Sequence, residues 1–226
     1  MEAEPPRGPN NCMIVNERLV AFINSFDKGN TPFLEKLEKD AHEAGVPIIR
    51  RETQSLLKFL LTAHRPGKIL EVGAAVGYSA LFMCEYGPEG CHVTTIEKYD
   101  KWAAQARENF TGAGRQRQIT LLEGDAAEVL KGLEDQYDLV FMDAAKAQYI
   151  YFLPQVLRLM PPGGLLVSDN VLQDGDVLES RFAVTRRNRT IHARMREYLF
   201  ELTHHPGLET CILSVGDGVT LSVKHI

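Results

Sequence analysis

From residue 68 to residue 169 the chain alternates short apolar runs with amphipathic stretches, and no other feature limits its fold so tightly. The runs at 68–72, 92–97, 119–123, 137–142 and 164–168 read as buried strands, with helices between them at 78–86, 101–111, 125–131 and 148–160. Strands joined through helices make right-handed βαβ crossovers, so the expected class is α/β, a mostly parallel sheet with helices on both faces. Ligands of such sheets bind beyond the carboxyl ends of the strands. Acids stand at or just past all five ends: Glu71, Glu97, Asp125, Asp143 and Asp169. For Asp125, helix capping is nearly as good an explanation as a ligand role.

The first strand passes into its helix through KILEVGAAVGYSA, where Gly73 and Gly77 allow close backbone approach. Ala75 occupies the place of the second glycine of a dinucleotide motif, and no Lys-Ser/Thr pair marks a phosphate loop. Glu71 would repel a phosphate and attract a cation. Glu97, ending the second strand, is placed to accept hydrogen bonds from ribose hydroxyls. Together they suggest a nucleoside without phosphates.

Two further segments carry chemistry: FMDAAKAQY, containing Asp143 and Lys146, and VSDNVL, containing Asp169 and Asn170. Two carboxylates and an amide at neighbouring strand ends suit Mg²⁺ or another hard divalent cation, which prefers oxygen ligands and keeps positions open for water or substrate. Lys146, three residues past Asp143, would be pushed by such a cation toward its neutral, basic form.

At 226 residues the chain fits one large domain. Residues 1–13 are expected to be a disordered tail without signal or anchor character. Helices at 14–26, 32–44 and 50–63 would form an N-terminal cover within residues 14–66 on a core of 67–226. The net charge of −5 excludes a global positive field, no run is long enough for a bilayer, and the four cysteines lack C-x-x-C spacing. A reduced, cytoplasmic protein without a membrane partner follows as the expectation. Strands at 209–214 and 219–223, turning at Gly216-Asp217-Gly218, should add an antiparallel hairpin and complete a seven-stranded sheet.

The segment RFAVTRRNRTIHARMR, 181–196, holds six arginines and no acid. It reads as helical through to about His204, with Ile191, Met195, Tyr198 and Leu199 buried. Its charge is either a solvated face or a docking surface for phosphates.

With these segments in order, the chain resembles the cation-dependent class I S-adenosylmethionine O-methyltransferases, the group of catechol and caffeoyl-coenzyme A O-methyltransferases, from about Gly45 to the C-terminus. The resemblance implies a Rossmann-like methyltransferase fold. It implies Glu71, Gly73 and Ser79 around the methionine part of S-adenosylmethionine, Glu97 on the ribose, Asp125 and Ala126 beside the adenine, and Ile48 covering the cofactor. It further implies Asp143, Asp169 and Asn170 as Mg²⁺ ligands, Asp143 also bordering the cofactor, and Lys146 as general base. Ala145 departs from the catechol enzymes, which carry a pocket-walling tryptophan there. The arginine segment, EYLFELTHHPGLET and VGDGVTLSVK look most like the bacterial tRNA 5-hydroxyuridine methyltransferases. That likeness implies a tRNA anticodon stem-loop gripped by Arg186, Arg187 and Arg189, the other reading being a small catechol-like substrate. Such relatives are often homodimers, and the N-terminal helices are the expected interface.

Overall fold

The computed structural model describes residues 16–225. The expected tail 1–13, the first two residues of the first predicted helix and Cys12 lie outside the described residues.

Seven strands form one sheet in the order β3-β2-β1-β4-β5-β7-β6. The strands are β1 (Lys68–Val72), β2 (His92–Glu97), β3 (Ile119–Glu123), β4 (Leu139–Met142), β5 (Leu165–Asp169), β6 (Leu208–Leu213) and β7 (Val219–Lys224). β1 to β5 pair in parallel, and β7 enters antiparallel between β5 and β6, so it alone runs against the rest. Strand order reverses at β1, which lies between β2 and β4. That reversal opens the crevice where such sheets hold ligands.

Helices cover both faces. α2 (Pro32–Glu43), α3 (Arg51–His64), α4 (Tyr78–Tyr86) and α5 (Asp100–Gly112) bury one apolar cluster, with Leu57, Leu61, Phe82 and Phe110 against Ile69 and Phe141. α6 (Ala126–Gly132), α7 (Tyr149–Arg158) and α8 (Arg189–His204) bury the other, with Leu130, Phe152, Met195 and Tyr198 against Leu70 and Val140. Both faces of the central strands are therefore dry, which explains why they read as continuous apolar runs. The short α1 (Glu17–Asn24), capped by Asn16, leaves Leu19, Phe22 and Ile23 exposed, as is the nearby Phe26.

The turn after β1 explains its glycines. Gly73 has φ +105, and a Cβ there would lie 2.3 Å from the Asp143 carbonyl oxygen. Gly77 has φ +81, and a Cβ there would lie 2.4 Å from the Phe110 ring. Gly45, at φ +66, faces open space. Gly45→Ala should therefore cost only the left-handed strain, about 1 kcal/mol. Gly77→Ala adds an overpacking cost of about 1–3 kcal/mol, so urea denaturation should separate the two variants clearly; equal midpoints would contradict the close packing.

Three expectations shift. The arginine-rich segment is not helical from its start: α8 begins at Arg189, and 181–188 is a succession of turns because Val184 is buried and Asn188 is bonded back to Asp176. The buried face of α8 is also rotated, with His192, Met195, Tyr198 and Leu202 inside while Ile191 and Leu199 are half-buried. The fourth strand begins two residues later than expected, because Asp138 instead ties its carboxylate to the Gly67 and Lys68 amides at 2.8 and 2.9 Å.

Candidate active site

A cavity of about 700 Å³ opens at the carboxyl ends of β1, β2 and β4, within the range typical of small-molecule sites. Ile48, Gly73, Ser79, Glu97, Asp125, Ala126, Asp143, Lys146 and Asn170 all line it. Residues from six separate segments, chosen from sequence alone, thus meet in one place. A smaller adjoining cavity of about 420 Å³ is lined by Lys146, Asn170, Asp174, Asp176, Asn188 and Asp217.

Glu71 lies beneath the first turn and is fully buried. Thr95 Oγ1 donates to its Oε2, whereas Oε1 has no partner among the described residues. Burial pushes its carboxyl up to about 7, against the pull of the neighbouring Ser79 and Thr95 side chains. A buried carboxylate with one oxygen unmet fits a cationic ligand group.

Glu97 holds the turn itself. Its Oε2 accepts from the Ala75 amide at 2.8 Å and its Oε1 from the Lys98 and Tyr99 amides, each at 2.8 Å. Ala75 consequently adopts φ 44 without being glycine. A carboxylate has about four lone-pair sites, so an acceptor remains for a ligand hydroxyl. Asp125 fulfils the capping alternative: Oδ1 accepts from the Ala127 amide at 3.0 Å, Oδ2 pairs with Lys98 at 2.8 Å, and the residue still lines the cavity.

The register of β4 on β5 pairs Met142 with Ser168, so the next residues, Asp143 and Asp169, come off neighbouring strand ends. Asp169 is 1% exposed and accepts from the Asn170 amide at 2.8 Å. Burial, then repulsion from Asp143, pushes its carboxyl up to about 7. Asn170 takes φ 56, a left-handed conformation that asparagine tolerates and that turns the chain at the strand end. Among the described residues no three His, Cys, Asp or Glu side chains form a metal cage. Two mutually repelling carboxylates with an adjacent amide nevertheless fit a hard cation that retains several waters.

Lys146 sits in a single 3₁₀ turn, Lys146–Gln148, directly before α7. Its Nζ donates to Asp143 Oδ1 at 2.6 Å and to the Tyr149 hydroxyl at 3.0 Å. Tyr149, fully buried, donates in turn to the Met142 carbonyl at 2.9 Å. Arg194 fixes the same turn from α8, donating to the Ala147 carbonyl at 3.2 Å with its guanidinium 4.9 Å from the Tyr151 ring centroid.

Tyr149, Arg50 and Asp217 were missed from sequence. Arg50 and Asp174 form a 3.0 Å ion pair, and both border the large cavity. Asp217 sits in the hairpin turn, which reaches back to the loop after β5 through bonds from the Val171 and Leu172 amides, each 3.0 Å. Its G-D-G sequence signalled a turn but not where the turn would land.

The arginines divide. Arg189, Arg194 and Arg196 donate to the Val184, Ala147 and Val177 carbonyls, whereas Arg181, Arg186 and Arg187 are exposed on the turns before α8. Cys84, Cys91 and Cys211 are free, as their spacing suggested, and no helix among the described residues is long and apolar enough to cross a membrane.

Comparison with known proteins agrees with this geometry. Residues 24–225 match the family model described as O-methyltransferase. The chain is 31% identical over 215 residues to the catechol O-methyltransferase of Mycobacterium tuberculosis, covering 90% of this chain and 93% of that one. It is 30% identical over 183 residues to tapetum-specific methyltransferase 1 of Arabidopsis thaliana, covering 79% and 77%. The SAH-bound methyltransferase PaMTH1 of Podospora anserina has the same fold, with a TM-score of 0.84, 24% identity and full coverage of both chains. The chain therefore belongs to the O-methyltransferase family and is an O-methyltransferase.

Proposed function

We propose that this methyltransferase is cation-dependent and acts on tRNA, converting 5-hydroxyuridine at the wobble position to 5-methoxyuridine. The observation that carries the reading is the exposed group Arg181, Arg186 and Arg187, on a segment whose ends supply Asp176 and Asn188 to the cavity beside Lys146. Phosphates are natural partners for such a group. The 5-hydroxyl and 4-carbonyl of the base form a chelating pair like that of a catechol.

When bound, S-adenosylmethionine would supply the methyl group and a divalent cation would lower the pKa of the substrate hydroxyl. Asp143, Asp169 and Asn170 would hold the cation. Glu71 Oε1 would take the cofactor's ammonium, Gly73 and Ser79 would flank its methionine part, Glu97 would accept from the ribose, Asp125 and Ala126 would border the adenine, and Ile48 would cover it. Lys146 Nζ receives the substrate hydroxyl proton. Engagement of Asp143 elsewhere would leave that amine only the Tyr149 hydroxyl as a partner. The surrounding loops would hold the substrate oxygen against the methyl group, and positioning supplies much of the rate of such reactions.

The cofactor site has a pH signature. Glu71 titrates near 7 in the free protein, and a cationic ligand prefers the ionised form, so binding expels a proton below that pH. Affinity for S-adenosylmethionine should therefore fall as pH falls, by about tenfold between pH 8 and pH 6. Calorimetry on wild type and Glu71→Gln checks this: the variant should bind weakly with a flat profile, and an equally steep profile would refute the assignment.

The second reading, a small ortho-dihydroxy aromatic substrate, is favoured by the catechol O-methyltransferase relative. Exposed Ala145 at the cavity edge offers a flat ring no wall of its own. The deciding experiment offers labelled S-adenosylmethionine and Mg²⁺ with 5-hydroxyuridine tRNA or with a catechol. The tRNA reading predicts methoxyuridine far in excess of catechol turnover, lost when the exposed Arg181, Arg186 and Arg187 are changed together to Ala although cofactor affinity persists. Catechol turnover alone, indifferent to those changes, would make the small-molecule reading correct. A homodimer through the apolar face of Leu19, Phe22, Ile23 and Phe26 completes the proposal, and sedimentation decides it.

A further inference from the structure

Phe182 is the most exposed large apolar side chain among the described residues, at 88%. Leaving a phenylalanine in water forgoes the stabilisation its burial would give. It stands beside Arg181 and close in the chain to Arg186 and Arg187, all exposed, with no acid between 181 and 196. The segment is nevertheless held. Val184 is buried, Arg189 donates to its carbonyl at 3.3 Å, and Asn188 Nδ2 donates to Asp176 Oδ2 at 2.8 Å. At the preceding end, the His192 ring bonds the Glu179 carbonyl at 3.0 Å and Arg196 bonds the Val177 carbonyl at 3.1 Å. An aromatic ring and three guanidinium groups are therefore displayed on a braced platform continuous with the smaller cavity.

We infer that Phe182 is a stacking residue for an unpaired nucleobase neighbouring the one to be methylated, with Arg181, Arg186 and Arg187 meeting the adjoining phosphates. This rests on the tRNA reading and deepens it. A ring beside exposed arginines, in a run from 181 to 196 without an acid, matches the π-face and phosphates of a single strand; an apolar protein partner would have no use for that positive charge. Stacking also makes a distinct contribution: it adds affinity without releasing counterions.

The test measures binding of full-length protein to an anticodon stem-loop oligonucleotide and to versions with one abasic loop nucleotide. Phe182→Ala should weaken binding by about 5- to 20-fold with an unchanged salt slope, and Phe182→Trp should retain affinity. On the oligonucleotide abasic at the stacked position, Phe182→Ala should have no further effect. Phe182→Trp should also add tryptophan emission that the intact loop quenches. Cofactor affinity, which a merely unfolded variant would lose, should not change. Undiminished binding by Phe182→Ala while the triple arginine variant binds poorly would overturn the stacking role and leave the tRNA reading standing. Failure of wild type to bind the stem-loop would overturn both. A change in sedimentation of Phe182→Ala would instead assign the ring to contact between copies and overturn the stacking role.

Discussion

Asp169→Ala is expected to lower methyl transfer on the order of 10³-fold, the loss that follows when a few kcal/mol of cation stabilisation is removed. Asp169 is the most enclosed member of the proposed cation set, and Asp143 on the neighbouring strand already repels it. Removing it leaves one carboxylate and an amide, too little for a hard divalent ion. The cofactor pocket is built mainly from the β1 and β2 turns, so affinity for S-adenosylmethionine should be nearly unchanged. Asp169→Asn, which keeps shape and hydrogen-bonding capacity, guards against a folding defect. Labelled-methyl assays with and without chelator, beside calorimetry of cofactor binding, measure both effects. Full activity in chelator would sink the cation assignment.

Lys146→Ala should reduce kcat by about 10²- to 10⁴-fold, the usual weight of a positioned general base. Lys146→Arg should not rescue it, since a guanidinium cannot accept the proton. Activity of the alanine variant should partly return as pH rises and the substrate hydroxyl ionises unaided. The 2.6 Å ion pair between Lys146 and Asp143 adds a second, opposite effect. With its ammonium competitor gone, Asp143 should bind a divalent cation more tightly in Lys146→Ala than in wild type. Loss of both turnover and cation affinity would mean that the turn had collapsed, and near-normal kcat would remove Lys146 from the chemistry.

The candidate site was largely legible because its members sit at sequence-local landmarks. A strand end is marked where an apolar run stops, and acids placed at such stops share one edge of a parallel sheet whatever the loops do. Glu71, Glu97, Asp143 and Asp169 were found that way. Tyr149 escaped because its OH faces Lys146 and the Met142 carbonyl from within an apolar helix, where a tyrosine reads simply as core. Arg50 and Asp174 escaped because they are 124 residues apart in the chain. The start of α8 was misplaced because a run of arginines has no period of its own, and the burial of Val184 decided where the helix could begin.

Sequence by itself determined the α/β class, the parallel strands, the glycine turn and the acids of the rim, because strand periodicity, steric freedom at glycine and the position of charges relative to apolar runs are local properties. Only tertiary structure decided that β7 enters between β5 and β6 and carries Asp217 to the site, that Glu71 keeps one oxygen unmet, and that three arginines are spent on carbonyls while three face water. Those outcomes depend on which distant groups meet and which are shut away from water, and burial sets both the hydrogen-bond accounting and the charge that each group can keep.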